Sequence, residues 1–439
     1  MQFNSLDYIL FFILVIIIVY YFNHSENILL RNSFILCASY YFYLQIHFWY
    51  LLLLLYIIFV SFFGGKLISL AKRKGRYQKY CLLITVFLII TCLLFYKYAY
   101  IVSPSILLPI GLSFFTFQSL TYCIDIYRDK IKEDSFIYVA LFISFFPTLL
   151  SGPIERARNL LPQFHKKFQI EWDSIIIGIK LFIWGIFKKM VIADRLGIYV
   201  DEIYYSVDAY SGSTLALASI LYSFQIYADF SGYADMAIGS AKMIGINIMN
   251  NFNYPYFART IKDFWRRGHI SLTSWFTEYI YISLGGNRVN MYRWIFNITL
   301  VFLLSGIWHG ATFPFIIWGG LHATYYLFEH FLKIKKPNLL YHIIIFILIT
   351  IAWIFFRLPE LNQSLYVIQH IFMDLNSSIY WGSSYFSTFI SIFLLCFYMI
   401  REWFMYKKRK SLMSFDIILI LLLLSLFGMQ TDQFVYFQF

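Results

Sequence analysis

Residues 49–67 read WYLLLLLYIIFVSFFGGKL, with a single lysine and no other charge. A helix of that length in water would need a polar face, and this one has none. At 1.5 Å per residue the stretch matches a hydrocarbon layer about 30 Å thick, which takes about 20 residues to cross. The composition then changes: Lys66, Lys72, Arg73, Lys74, Arg76 and Lys79 follow within a few positions. An apolar block ending in a basic loop predicts a membrane span with its basic end in the cytoplasm.

The pattern recurs along the chain. Further apolar blocks lie at 8–22, 32–46, 81–95, 106–124, 136–150, 175–193, 215–228, 233–249, 294–308, 313–332, 342–356, 385–400 and 417–429. The 439 residues are 60% hydrophobic and 13% charged, about half the charge of a soluble domain. The fold class is therefore all-α, a polytopic membrane domain spanning 1–439, with about 11 to 14 embedded helices, some re-entrant. Aromatics make up 22%, and many stand at block edges, where amphipathic rings favour the headgroup layer. Residues 1–7 lack a basic segment and no small-residue cleavage site follows the first block, so 8–22 is read as a retained span.

The formal net charge of +12 would suggest nucleic acid in a soluble protein. Here the basic residues collect in short loops, which points to membrane orientation instead. Lys72–Lys79, Lys333, Lys335, Lys336 and 401–410 are read as cytoplasmic; the N-terminus, the acidic stretch 194–213 and 357–384 are read as external. The basic residues Arg156, Arg158, Lys166 and Lys167 break the alternation, and a re-entrant segment after Ser151-Gly152-Pro153 would restore it. Cys37, Cys81, Cys92, Cys123 and Cys396 show no metal or disulfide spacing. No internal repeat suggests the two-fold design of many transporters.

Ionisable residues inside apolar spans mark candidate sites. In FQIYADFSGYADMAIG (224–239), Asp229 and Asp235 are six positions apart, about 600° around a helix, so they do not form an acid–base pair on one face. The alternatives are an Asp229 cap between two helices or direct catalysis. In DFWRRGHISLTSWF (263–276), His269, Leu272 and Phe276 recur on one apolar face. Arg266 and Arg267 read as an interfacial anchor or as an attractor for an anionic cosubstrate. In LLSGIWHGATFPFIIWGGLHATYY (303–326), His309 stands among Ser305, Gly306, Gly310 and Ala311, small residues that allow close approach of a ligand or helix. It reads equally as a core histidine or a catalyst. On one continuous helix His322 would lie about 20 Å from His309 on nearly the opposite face, so it reads as structural even if Pro314 bends the helix.

Those segments, together with NFNYPYFARTIKDFWRRGHISLTSWF (251–276), YISLGGNR (281–288) and SGIWHGATFPFIIWGGLH (305–322), resemble the membrane-bound O-acyltransferase family, particularly its bacterial alginate O-acetylation branch. MQFNSLDYILFF (1–12), SFFTFQSLTYCIDIYR (113–128), FPTLLSGPIERA (146–157) and WIFFR (353–357) resemble it too, in the same order. The resemblance implies that His309 is the catalytic histidine and that His269 fills the second functional position, often Asn in eukaryotic relatives. Gly268 departs from the bulky residue, usually Trp, that related sequences carry before that histidine, which predicts a wider pocket there.

The resemblance further implies a central tunnel through which an acetyl group passes from cytoplasmic acetyl-CoA, for O-acetylation of a cell-surface polysaccharide at a bacterial inner membrane. No metal and no tightly bound cofactor is required. A separate extracytoplasmic acyltransferase partner completes delivery, and no nucleic acid is involved. A neutral imidazole, with an ordinary pKa of about 6.5, suits His309 as general base near neutral pH; His269 would orient substrate or stabilise charge on the thioester carbonyl. The competing readings are a transporter using Asp229, Asp235, His269 and His309 as an ion path, and a non-catalytic scaffold for polysaccharide export.

Overall fold

A computed structural model describes residues 1–102, 108–310, 312–332, 338–408 and 414–429. Ala311, Lys333, Lys335, Lys336, Lys410 and the beginning of the 106–124 block lie outside the described residues. No β-strand occurs among the described residues. The chain is a polytopic, all-helical membrane protein, and six described helices are long and apolar enough to cross a bilayer: Leu6–His24, Phe48–Arg73, Gln78–Ala99, Met291–His309, Leu339–Arg357 and Tyr385–Lys407. The chain divides into two compact units, residues 1–182 with 233–250, and residues 183–232 with 251–439.

The first unit holds α1 (Leu6–His24), α2 (Ile28–Leu44), α3 (Phe48–Arg73), α4 (Gln78–Val102), α5 (Leu112–Tyr127), α6 (Phe136–Ser144), α7 (Phe146–Leu149), α8 (Ala157–Phe164) and the first part of α9 (Trp172–Phe187). Ser5 caps α1 by accepting from the Tyr8 amide, and the buried Tyr8 hydroxyl donates to Ser240 Oγ at 2.8 Å. The basic end of α3 is held by the loop after α5, through Lys72 to Asp129 and Arg73 to Glu133.

Where sequence predicts one block at 136–150, the helix breaks at Phe145, whose ψ of 110° leaves the helical region. The freed Phe146 amide donates to Ser39 Oγ at 3.1 Å. Residues 151–156 are then buried without helical structure. The two charged side chains among them are satisfied by protein: the Glu155 carboxylate accepts from the Met249 and Arg156 amides, and Arg156 Nη1 donates to the Ile154 carbonyl at 2.8 Å. Irregular backbone is tolerable at membrane depth only when enclosed in this way.

The second unit holds the end of α9, a π-helical turn at Lys188–Ala193, α10 (Asp194–Tyr205), α11 (Gly212–Met243, whose last turns belong to the first unit), α12 (Ile261–Arg267), α13 (Ile270–Phe276), α14 (Met291–His309), α15 (Phe313–Leu332), α16 (Leu339–Arg357), α17 (Leu361–Met373), α18 (Tyr385–Lys408) and α19 (Ser414–Phe427). The two blocks expected at 215–228 and 233–249 are thus one helix for most of their length, and Asp229 caps nothing. Lys189 explains the difference. Its ammonium lies 2.8 Å from Asp229 and 2.8 Å from Asp194, all three side chains at most 5% exposed. A mid-helix carboxylate is stable in a core when a buried cation and its hydrogen bonds compensate it, and the π turn is the local distortion that carries Lys189 there.

Candidate active site

His309 is the last residue of α14. The helix stops because Gly310 adopts an extended conformation (φ −164°, ψ 163°), after a final bond from its amide to the Gly306 carbonyl at 3.2 Å. Pro314 then stands in the first turn of α15, where its missing N–H costs nothing. The chain therefore reverses between His309 and Phe313 instead of bending within one helix. α14 and α15 pack through their glycines: a Cβ on Gly306 would meet the Phe315 carbonyl oxygen at 2.3 Å, and one on Gly319 the Phe302 carbonyl oxygen at 2.5 Å. The small residues near His309 serve helix–helix approach.

That reversal corrects the expected His309–His322 geometry. The two rings occupy different helices and share one neighbour, the Trp318 indole, with centroids at 5.0 Å from His309 and 4.8 Å from His322. His322 Nδ1 accepts from Trp265 Nε1 at 3.3 Å, so it steadies an indole without reaching the site itself.

His269 joins α12 to α13 and has φ 44°, ψ 49°, a left-handed conformation uncommon outside glycine. Its backbone is fixed by the strand-like segment before α12, where Asn251 carbonyl oxygen accepts from the Ile270 amide at 2.9 Å. The Asn251 side chain is fully buried, and its Oδ1 accepts from the Ser271 amide at 3.1 Å and Ser271 Oγ at 2.9 Å. The backbone donor identifies that atom as the oxygen. His269 Nδ1, 3.3 Å from the same oxygen, must therefore be the protonated nitrogen, which leaves Nε2 as the acceptor of a neutral ring. Leu272 and Phe276 are buried below it, as the periodicity predicts, whereas Arg266 projects outward and Arg267 pairs with Asp263 at 2.8 Å.

Both histidines line one cavity of ≈ 50 Å³, several times the about 10–15 Å³ that a single water needs. His309 and His269 are 5% and 6% exposed, so the chemistry there would be shielded from bulk water. The walls are almost wholly apolar. Trp318 and Phe356 each lie 5.0 Å from the His309 ring, and Phe230 lies 4.6 Å from His269. Gly268 is part of the lining. Asp229 and Asp235 are not among the lining residues.

Sequence reasoning missed Asn251, Trp265, Trp318 and Trp353. Asn251 had a readable signal, an amide between apolar segments that must find partners. The tryptophans stand within segments that carry the family resemblance, but their spacing does not show that α12, α15 and α16 bring them together.

Residues 35–368 match the sequence model of the membrane-bound O-acyltransferase family. A probable alginate O-acetylase of Azotobacter vinelandii is 42% identical over 262 residues, 58% of this chain and 52% of that protein. A peptidoglycan O-acetyltransferase of Helicobacter pylori is 38% identical over 301 residues, 60% and 56% of the two chains. A teichoic acid D-alanyltransferase of Bacillus subtilis is 31% identical over 268 residues, 56% and 67%. The matched region spans about half the length of the first two relatives.

Proposed function

The chain belongs to the membrane-bound O-acyltransferase family, and from that premise we propose that it is a histidine-dependent O-acetyltransferase acting in surface polysaccharide modification. The observation that carries the reading is the convergence of His309 and His269 on one enclosed apolar cavity. His309 is the general base. It takes the proton of the acceptor hydroxyl as that oxygen bonds to the acetyl carbon; the carbon–sulfur bond of acetyl-CoA breaks, and the proton passes to the departing thiolate, giving ester and free thiol. A positioned base of this kind contributes about 10²- to 10⁴-fold in rate.

His269 is assigned the orienting role. With Nδ1 donating to Asn251, a neutral ring offers Nε2 as an acceptor for a second donor group of the acceptor, beside the hydroxyl whose proton His309 takes. That arrangement favours orientation over the alternative of donating to the thioester carbonyl.

The lining favours acetyl over D-alanyl. No carboxylate stands among the lining residues to hold an alanyl ammonium, while aromatic walls suit a neutral methyl-bearing group. The relatives' names extend the proposal to a polysaccharide acceptor, and with it we propose a bacterial inner-membrane location and an extracytoplasmic acyltransferase partner. The test is thiol release from acetyl-CoA by the purified protein, together with ester-linked acetyl on surface glycans of wild-type and deletion strains. Equal ester content in the two strains, with no thiol release, would overturn the reading.

A further inference from the structure

A second pocket of the same unit differs in character. It is a partly open cleft of ≈ 50 Å³ between α10 and the start of α18. From α10 come Arg195, Tyr199 and Glu202, at spacings that place them on one helical face; from the approach to α18 come the hydroxyls of Ser383, Ser384 and Ser387.

Its two ends carry opposite charge. Glu202 is pinned by the Tyr380 hydroxyl at 2.8 Å and by the Ser383 amide and hydroxyl at 3.2 and 3.3 Å. Arg195 donates from Nη1 to the Phe427 carbonyl at 3.1 Å, while its Nε is buried without a partner. Seven residues separate the two side chains, about 10.5 Å along the helix axis, and among the described residues they do not pair with each other. A buried donor without a partner is costly, so an acceptor at this position would be stabilising.

The occupant's chemistry follows by elimination. A phosphate or free carboxylate would meet Glu202, a cation would meet Arg195, and an apolar chain would leave the Arg195 Nε–H unsatisfied. A saccharide unit is neutral, donates and accepts through each hydroxyl, and can lay a ring face against Tyr199. The location fits as well. Phe356, on the last turn of α16, lies 5.0 Å from the His309 ring, and the next residue, Arg357, pairs at 2.7 Å with Asp201, which precedes Glu202. The C-terminal turn of α16 thus borders both the histidine cavity and the helix that bears the polar pocket.

We propose that the α10–α18 pocket is a saccharide-binding subsite for the acceptor glycan, so that this chain contacts the polymer itself. The inference rests on the acyl-transfer reading above. It is tested with Ser387→Cys in the full-length protein, reconstituted in lipid nanodiscs and labelled with a maleimide. De-O-acylated surface glycan from the same cells is expected to slow labelling at least 5-fold, and inorganic phosphate is expected to have no effect. In cells, Arg195→Gln should lower glycan ester content at least 10-fold, and in the purified variant the KM for glycan should rise at least 10-fold while the KM for acetyl-CoA keeps its wild-type value.

Absence of glycan protection, equal protection by phosphate, or an unchanged KM for glycan in Arg195→Gln would each overturn the subsite. Loss of an extracytoplasmic protein that co-purifies with the wild type would also overturn it, by making the pocket a protein-docking site. Failure of the wild-type protein to release thiol at all would instead strike at the acyl-transfer reading.

Discussion

Asn251 Oδ1 is 3.3 Å from His269 Nδ1 and accepts two further hydrogen bonds from Ser271, so one buried amide sets both the tautomer and the placement of the site's second histidine. Asn251→Ala removes the acceptor that fixes the ring. Acetyl transfer is expected to fall about 10-fold, in keeping with loss of one or two hydrogen bonds of about 1 kcal/mol each. The change should fall mainly on kcat, measured by thiol release; unchanged kcat in a folded variant would refute the orienting role.

His309→Ala should reduce transfer by about 10²- to 10⁴-fold, the contribution of a general base, with membrane abundance near normal. His269→Ala should cost less and His322→Ala least, since His322 meets the site only through neighbouring indoles, Trp265 and Trp318. Thiol release and glycan ester analysis report the order. Near-normal turnover by His309→Ala would reopen the scaffold and transporter readings.

How much of this was legible in the sequence depends on the distance over which each feature is decided. The apolar blocks and the membrane class follow from local composition, and His309 and His269 are marked by the motifs around them. The helix break at Phe145 has a local signal in Pro147, which stands in the first turn of the next helix, but the Ser39 hydroxyl that takes the freed Phe146 amide lies more than 100 positions away. Asp229 was misread as a cap because its partner Lys189 lies 40 positions earlier and reaches it only through the π turn. The relation of His309 to His322 failed for a different reason: helical periodicity carried across Gly310 to Pro314 assumes one helix, and the chain reverses there.

Lys189→Met should destabilise the protein strongly. Removing one member of a buried ion pair costs about 3–5 kcal/mol, here by leaving Asp194 and Asp229 without their shared cation. Thermal unfolding in detergent should show a large fall in midpoint. The triple change Lys189→Met, Asp194→Asn, Asp229→Asn should recover much of it, and a midpoint as low as the single variant's would contradict the assignment.

Gly306→Val is expected to lower folded yield, because the added side chain would start 2.3 Å from the Phe315 carbonyl oxygen. Overpacking of this kind costs about 1–3 kcal/mol or more. Size-exclusion recovery should drop together with activity, unlike the His309 variant. Normal recovery would mean that α14 and α15 are less closely packed than described.

The charge distribution predicts that a cysteine at Lys74 is shielded from an impermeant thiol reagent in intact cells and that one at Asp208 is labelled. Labelling at Lys74 without labelling at Asp208 would invert the orientation, moving the polar pocket on α10 to the cytoplasmic side.

The left-handed backbone at His269 also acts as a filter on substitution history. At φ 44° a β-branched side chain is disfavoured whatever its chemistry, whereas His, Asn and Asp enter this region more readily than most residues. Exchange of His for Asn at the corresponding position of related sequences is therefore open on conformational grounds before any catalytic demand is imposed. The repertoire at position 269 is narrowed first by the peptide chain and only then by the reaction.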